Sequence, residues 1–307
     1  MREECGGSGF AGPGPGLTPM ATHLPPYTLG FSPCPNDTFI FHALVHGLVG
    51  EDCPPFAAPE LADVETLNEW ALVGRLDVTK LSFHAYGHVL DRYVLLSAGS
   101  ALGRGCGPLL VARTALAQAR LPQLTIAIPG RYTTAALLLR LFAPRCTKLA
   151  VMRFDQIMPA VAEGRVDAGV IIHESRFTYP HHGLTLIQDL GQWWEAETGV
   201  PIPLGGIVAR RSLGEATLRA MDRAIRTSVR LAFANPQAAM PYIRQHAQEL
   251  DETVIASHIG LYVNSYSEKL GAEGEAAVRE FLRRGAAAGA LPCPPELPLL
   301  IHGEERG

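Results

Sequence analysis

Ile171-Ile172-His173-Glu174-Ser175-Arg176-Phe177 sets an imidazole, a carboxylate, a hydroxyl and a guanidinium directly after an apolar run. The run reads as a buried strand, and the carboxyl end of such a strand is where an α/β protein holds its ligand. An imidazole with an ordinary pKa of about 6.5 is largely neutral at pH 7, so His173 is able to accept a proton from a bound molecule. A histidine satisfied by backbone or by Glu174 is the commoner use of this residue type. The place of His173 at a cleft-facing strand end, beside an Arg176 suited to fixing an acid group, favours the base. Three further groupings complete the candidate site. Lys80, Leu81 and Ser82 read as a carboxylate clamp at a second strand end, although Lys80 would serve equally as a solvated end. Thr133 and Thr134 open a helix whose first N–H groups suit an anion, and Asn36 and Asp37 read as N-caps of the first helix.

The elements that must position these groups follow one grammar. Tyr27–Phe31 reads as a strand, the Pro-punctuated segment Ser32–Asp37 as a turn, and Thr38–Val45 as an apolar helix. The order returns as a strand over Leu124–Pro129, a turn over Gly130–Thr134 and a helix over Ala135–Phe142. A second echo pairs Gly74-Arg75-Leu76-Asp77-Val78 with Gly164-Arg165-Val166-Asp167-Ala168, each after a helical pattern and each opening a strand. In register on the two aspartates, Lys80–Ser82 lies opposite Val170–Ile172, with His173 one position on. Duplicated α/β lobes with a ligand between them follow. Leu204–Arg210 reads as a strand returning to the first lobe, and helices dominate from Leu213 to Ala288, one of them opened by Pro236. The boundaries read as an N-terminal extension over 1–26, a first lobe over 27–114 and 205–303, and a second over 115–204.

The chain of 307 residues is long enough for two such lobes. Its 47% hydrophobic and 18% charged residues are those of a globular protein. A formal charge of −4 without a basic block argues against nucleic acid or an anionic membrane as partner, and no apolar run approaches the ~20 residues of a membrane span. A small molecule is the expected partner. Residues 1–24 are Gly- and Pro-rich, without the basic start and apolar centre of a secretory signal, and Met20 offers an alternative start. The six cysteines are scattered without a C-x-x-C pair, which predicts free thiols and a cytoplasmic setting. No G-x-G-x-x-G follows the first strand, and P-loop, H-E-x-x-H and G-x-S-x-G patterns are missing, so no cofactor and no metal are expected. Tyr179, Trp193 and Trp194 read mainly as core, with a cleft-lining ring as the alternative.

Several segments in order carry a family resemblance: Gly30–Phe39, Asp63–Asn68, Thr79–Ser82, Pro129–Thr134 and Ile171–Pro180. Over roughly Tyr27 to Leu300 the chain resembles the 1,4-dihydroxy-6-naphthoate synthases of the futalosine route to menaquinone. The resemblance implies a two-lobed fold like that of type 2 periplasmic binding proteins, used by a cytoplasmic enzyme. It implies cleavage of cyclic dehypoxanthine futalosine to 1,4-dihydroxy-6-naphthoate, a carbon–carbon lyase reaction releasing dihydroxyacetone. It also implies His173 as proton acceptor, with Lys80 to Ser82, Thr133 and Thr134 against the ligand; Asn36, Asp37, Glu174 and Arg176 are supporting residues by position. The alternatives are chorismate dehydratase, with a similar fold, and a non-catalytic solute-binding protein for a small anion.

Overall fold

The structure, a computed structural model, describes residues 26–248, 251–293 and 297–301. The N-terminal extension expected over 1–26 lies outside them except for its last residue. Strand β1 (Leu29–Phe31) leads into α1 (Pro35–Val45), which opens on a proline next to Cys34 and has no side-chain cap. Proline suits this position because its φ is preset and the first N–H of a helix has no partner to lose. The helix thus begins three residues before the expected Thr38, and Asn36 and Asp37 lie inside its first turn instead of capping it.

The chain continues through β2 (Glu60–Leu61), α2 (Val64–Leu72), β3 (Val78–Ser82), α3 (Phe83–Gly87), β4 (Tyr93–Leu96) and β5 (Ala101–Gly103). A second set follows: β6 (Leu109–Ala112), β7 (Ile126–Ile128), α4 (Thr134–Phe142), β8 (Leu149–Val151), α5 (Phe154–Ala162), β9 (Ala168–Ile171), α6 (Ser175–Thr178), β10 (Thr185–Asp189) and α7 (Leu190–Thr198). Strand β11 (Ile202–Arg210) returns, and α8 (Glu215–Ala234), α9 (Pro236–His246), α10 (Glu252–Tyr262), α11 (Ser265–Glu268), α12 (Gly271–Ala287) and β12 (Leu300–Ile301) complete the fold.

Two sheets repeat one plan. The larger runs β12-β4-β11-β3-β1-β2, with β5 also against β11; the smaller runs β10-β6-β9-β7-β8. In each, the first strand of a β-α-β-α-β unit lies centrally between two parallel neighbours, and an antiparallel strand follows the third. The five-residue echo has a physical basis here. Gly74 and Gly164 take positive φ of 66° and 76° just past the ends of α2 and α5, where a residue with a Cβ is strained. Asp77 accepts the N–H of Thr28 at 3.0 Å and Asp167 that of Thr125 at 2.8 Å. Each aspartate therefore fixes the entry to the central strand of its own sheet.

The same plan moves the expected lobe limits. Strand β6 falls inside the span read as the first lobe, yet it pairs with β9 and β10 in the smaller sheet. Strand β11 starts at Ile202, ahead of the expected return at 205. Each sheet's antiparallel strand is the crossing segment itself, so the chain changes sheets before β6 and before β11. The main apolar core spans both sheets, joining Leu81, Phe83 and Leu102 to Ile126 and Val170, with Phe281 of α12 against them. Among the described residues no helix is long and apolar enough to cross a membrane.

Candidate active site

The carboxyl ends of β1, β3, β7 and β9 converge on a cavity of about 90 Å³ between the sheets. Ser32, Lys80, Ser82, Thr133, Thr134 and His173 line it, with Tyr262 of α10 and Gly205 of β11. Strand ends placed this way deliver side chains and helix N-termini to one crevice, as expected of α/β sheets.

His173 lies two residues past the end of β9, and its φ of +57° makes it the one non-glycine with positive φ among the described residues. A side chain in that region costs roughly 1–2 kcal/mol, so the packing around it must enforce the conformation. The ring meets the edge of Phe154 at 5.0 Å and faces the ring of His258 at 6.1 Å, nearly parallel. Neither ring nitrogen has a hydrogen-bond partner among the described residues. Burial pushes the imidazole below its ordinary 6.5, while the charges of Glu174, Asp37 and Asp63 pull it back. The result is a neutral imidazole at pH 7 with an available lone pair.

Opposite it, Lys80 is not an open clamp. Its ammonium lies 3.1 Å from Asp37 Oδ1 and donates to the Gly99 carbonyl at 2.8 Å, with both charged side chains buried. Asp37 also accepts the Ser32 hydroxyl at 2.7 Å and the Asn36 side-chain amide at 2.9 Å. Asn36 and Asp37 are thus a hydrogen-bonding hub under the cavity, and the lysine charge is matched before any ligand arrives. Ser82 is better placed to donate. Asn68 Nδ2 gives a hydrogen bond to its oxygen at 3.2 Å and Asn68 Oδ1 accepts its N–H at 2.9 Å, which leaves the hydroxyl proton for a ligand.

The two threonines act through backbone. Thr133 Oγ1 donates to Gly130 O at 2.9 Å and caps the Ala136 N–H at 3.2 Å, and Thr134 Oγ1 donates to Leu204 O at 2.6 Å. What they present to the cavity is the open N-terminus of α4, where the first N–H groups lack helical acceptors. Arg176 is not among the residues that line the cavity. Its guanidinium pairs with Asp189 at 2.6 Å and donates to the Gly107 carbonyl, so it braces β10 and the loop before β6. Tyr179, Trp193 and Trp194 do not line the cavity either; Trp194 is wholly buried against Phe281.

Four residues given no role by the motifs shape the site. Glu65 on α2 reaches across to the loop before α4, accepting the N–H of Arg131 and that of Tyr132 at 3.0 Å, and Asn68 Nδ2 at 3.1 Å. Burial raises its pKa. A Cβ on Gly130 would sit 2.3 Å from the Glu65 carboxyl carbon, so the glycine permits the approach. Glu65 and Asn68, three residues apart on one helical face, were visible as a pattern but carried no chemical label. His258 and Tyr262 come from an apolar helix far along the chain, and nothing local marks them. Cys34 Sγ, a ring nitrogen of His173 and a carboxylate oxygen of Glu174 lie within 4.8 Å of one another, the one grouping of metal-binding donor types among the described residues. Burial and the Glu174 charge push the Cys34 thiol well above its ordinary pKa, and a neutral thiol is a poor metal ligand.

Fold and cavity define a two-lobed α/β protein of the periplasmic-binding-protein type with a cavity between its sheets lined by an imidazole and hydroxyl groups. The chain belongs to the menaquinone biosynthesis family, whose model matches residues 27–287. A Thermus thermophilus protein named 1,4-dihydroxy-6-naphthoate synthase is 56% identical over 273 residues, 89% of this chain and 98% of that one. A Streptomyces coelicolor protein of the same name is 48% identical, over 86% of this chain and 94% of its own. Among solved structures, a protein of Archaeoglobus fulgidus superposes with a TM-score of 0.81 at 35% identity, covering 86% of this chain and 98% of its own. The alkanesulfonate-binding protein of Xanthomonas axonopodis, solved with MOPS bound, superposes at 0.64 with 15% identity over 89% of this chain and 96% of its own, a likeness of fold alone.

Proposed function

We propose that this protein is a 1,4-dihydroxy-6-naphthoate synthase that cleaves a carbon–carbon bond of cyclic dehypoxanthine futalosine, releasing dihydroxyacetone. The observation that carries the reading is an unpartnered, neutral imidazole, held in a strained backbone conformation on the cavity wall, in a chain that is 56% identical over 273 residues to a protein of that name. His173 removes a proton from the bound substrate, the bond breaks, and the bicycle aromatises. The Ser82 hydroxyl and the N–H groups opening α4 take the carboxylate and hydroxyls of the substrate. Lys80, matched by Asp37, holds the floor of the site.

The cavity is smaller than the roughly 300–1,000 Å³ of ordinary ligand pockets, so a two-ring substrate enters only when the lobes part. Closing them again expels water and aligns the reacting atoms. The free thiols of Cys34, Cys53, Cys106, Cys146 and Cys293 suit a reducing, cytoplasmic setting, which localisation of a tagged protein checks.

Incubating the purified protein with cyclic dehypoxanthine futalosine and identifying the product by mass spectrometry tests the reaction. His173→Ala is expected to keep ligand binding and to lose turnover by roughly 10²- to 10⁴-fold. Turnover near wild type in that variant refutes the assignment of the base. Formation of 3-enolpyruvylbenzoate from chorismate would redirect the function to the dehydratase.

A further inference from the structure

Two buried groups beside His173 have no task in the reaction as proposed, and both are unmatched. Glu174 Oε2 and His258 Nδ1 lack hydrogen-bond partners among the described residues and lie 3.8 Å apart. His258 is fully buried on α10, its ring parallel to that of His173 and 4.7 Å from that of Tyr262. The position of its proton is fixed from the far side of the site. Asn36 Nδ2 donates to Asp37 Oδ1, so the amide oxygen of Asn36 is the atom that faces His258 Nε2, at 3.0 Å. An amide oxygen only accepts; Nε2 therefore carries the hydrogen and Nδ1 the lone pair. Burial and the neighbouring His173 push His258 well below its ordinary 6.5, which keeps the ring neutral. A lone pair thus faces a carboxylate oxygen with no donor between them, and such an arrangement has room for one proton.

We infer that Glu174 and His258 form a proton-receiving pair behind His173: the proton taken from the substrate passes from the His173 ring to Glu174 Oε2 and is shared with His258 Nδ1. The inference rests on His173 being the base. In the transfer an N–H bond of His173 breaks and an O–H bond of Glu174 forms, with no electron gained or lost. A ring nitrogen of His173 and a carboxylate oxygen of Glu174 are within 4.8 Å of each other, and a charge-assisted N···O bond of about 2.7–2.9 Å needs the Glu174–His258 pair to close by about 1 Å. A second cavity, of about 200 Å³, opens on the outer side of His173 and Glu174 beside Asp63 and Arg153, and gives the proton an exit. The other titratable and charged groups facing the pair are Cys34, Asp37 and Tyr262, with both the thiol and the phenol held protonated by burial. Glu174 and His258 act through His173 and do not touch the substrate; they are positioning residues.

Steady-state turnover of the wild type, Glu174→Gln and His258→Gln, in dilute and concentrated buffer, tests the pair, together with histidine titrations followed by ¹⁵N NMR. Glutamine at 258 retains a donor for Asn36, and glutamine at 174 retains the shape of the carboxylate, while neither takes up a proton. Both variants are expected to lose up to about 10²-fold in turnover, the low end of lost acid–base assistance, and to recover as formate or imidazole is added. The titration midpoint of His173 in Glu174→Gln is expected to move down by about 1 to 3 pH, the effect of removing an opposite charge some 4–6 Å away. Unchanged turnover in both variants, or a loss that added carriers do not restore, overturns the inference. A wild-type protein that leaves the substrate intact refutes the proposed function instead, and the NMR titration then decides the pair, an unmoved His173 midpoint overturning it. Should His258→Gln fail to fold, Glu174→Gln carries the test on both readouts.

Discussion

Glu65→Ala removes the acceptor that holds the loop before α4 against α2, and so one of the contacts that keep the cleft shut. A hydrogen bond to a charged acceptor contributes about 1.5–3 kcal/mol, and the carboxylate takes two such bonds across the lobes. Burial of the carboxylate, seen in its raised pKa, offsets part of that gain, and the freed N–H groups regain water when the lobes open. A net of about 3 kcal/mol remains, close to a 150-fold shift toward the open form at about 1.4 kcal/mol per factor of ten. Glu65→Gln keeps one oxygen for the loop and gives up the charge, for a loss of about 1 kcal/mol, or roughly fivefold. Steady-state kinetics report these shifts in kcat/KM, and small-angle X-ray scattering with bound product reports closure directly. An alanine variant that matches the wild type in both kcat/KM and scattering radius refutes the latch.

Burial holds His173 below 6.5, so the acid limb of kcat/KM, where the folded protein protonates the base, is expected to be centred below pH 6.5; an acid limb centred above 6.5 contradicts this. His84, buried with Nδ1 3.1 Å from the Thr133 carbonyl, has its pKa lowered to about 4. The unfolded chain takes up that proton near 6.5 and the folded chain near 4, so the stabilisation is complete above 6.5 and is lost as pH falls toward 4. At about 1.4 kcal/mol per pH unit this contribution is about 2–3 kcal/mol, and the loss of stability between pH 7 and 4.5 in denaturant titrations should be smaller by about that much in His84→Gln than in the wild type. Gly205→Ala places a Cβ 2.6 Å from the Leu81 carbonyl oxygen, between β11 and the strand that ends at Ser82. A loss of about 1–3 kcal/mol with weakened product binding is expected from calorimetry, and unaltered binding speaks against a site that depends on this strand spacing.

Much of the scaffold was legible because its signals are local. Helix periodicity, the glycine that must end a helix in a left-handed turn and the aspartate that follows it are properties of a few adjacent residues, and they recur in both halves. The lobe limits were less legible, since the pairing of β6 and β11 is decided by which sheet edge is open and not by their own composition. Individual site residues divided along the same line. His173 and Ser82 were readable as strand-end polar groups, and the structure brings both to the cavity. Lys80 and Arg176 were equally prominent, but their charges are engaged by Asp37 and Asp189, partners 43 and 13 positions away in the chain.

The sequence by itself determined that the chain builds two α/β units of one plan, and that an imidazole follows the last parallel strand of the second. Each follows from backbone and side-chain preferences acting over a few residues. Only the tertiary structure decided which polar groups remain available for chemistry. Availability depends on who else is within hydrogen-bonding distance, and Glu65 above Gly130, Asn36 beneath His258, and His258 opposite Glu174 are brought together by packing across the two sheets and the C-terminal helices.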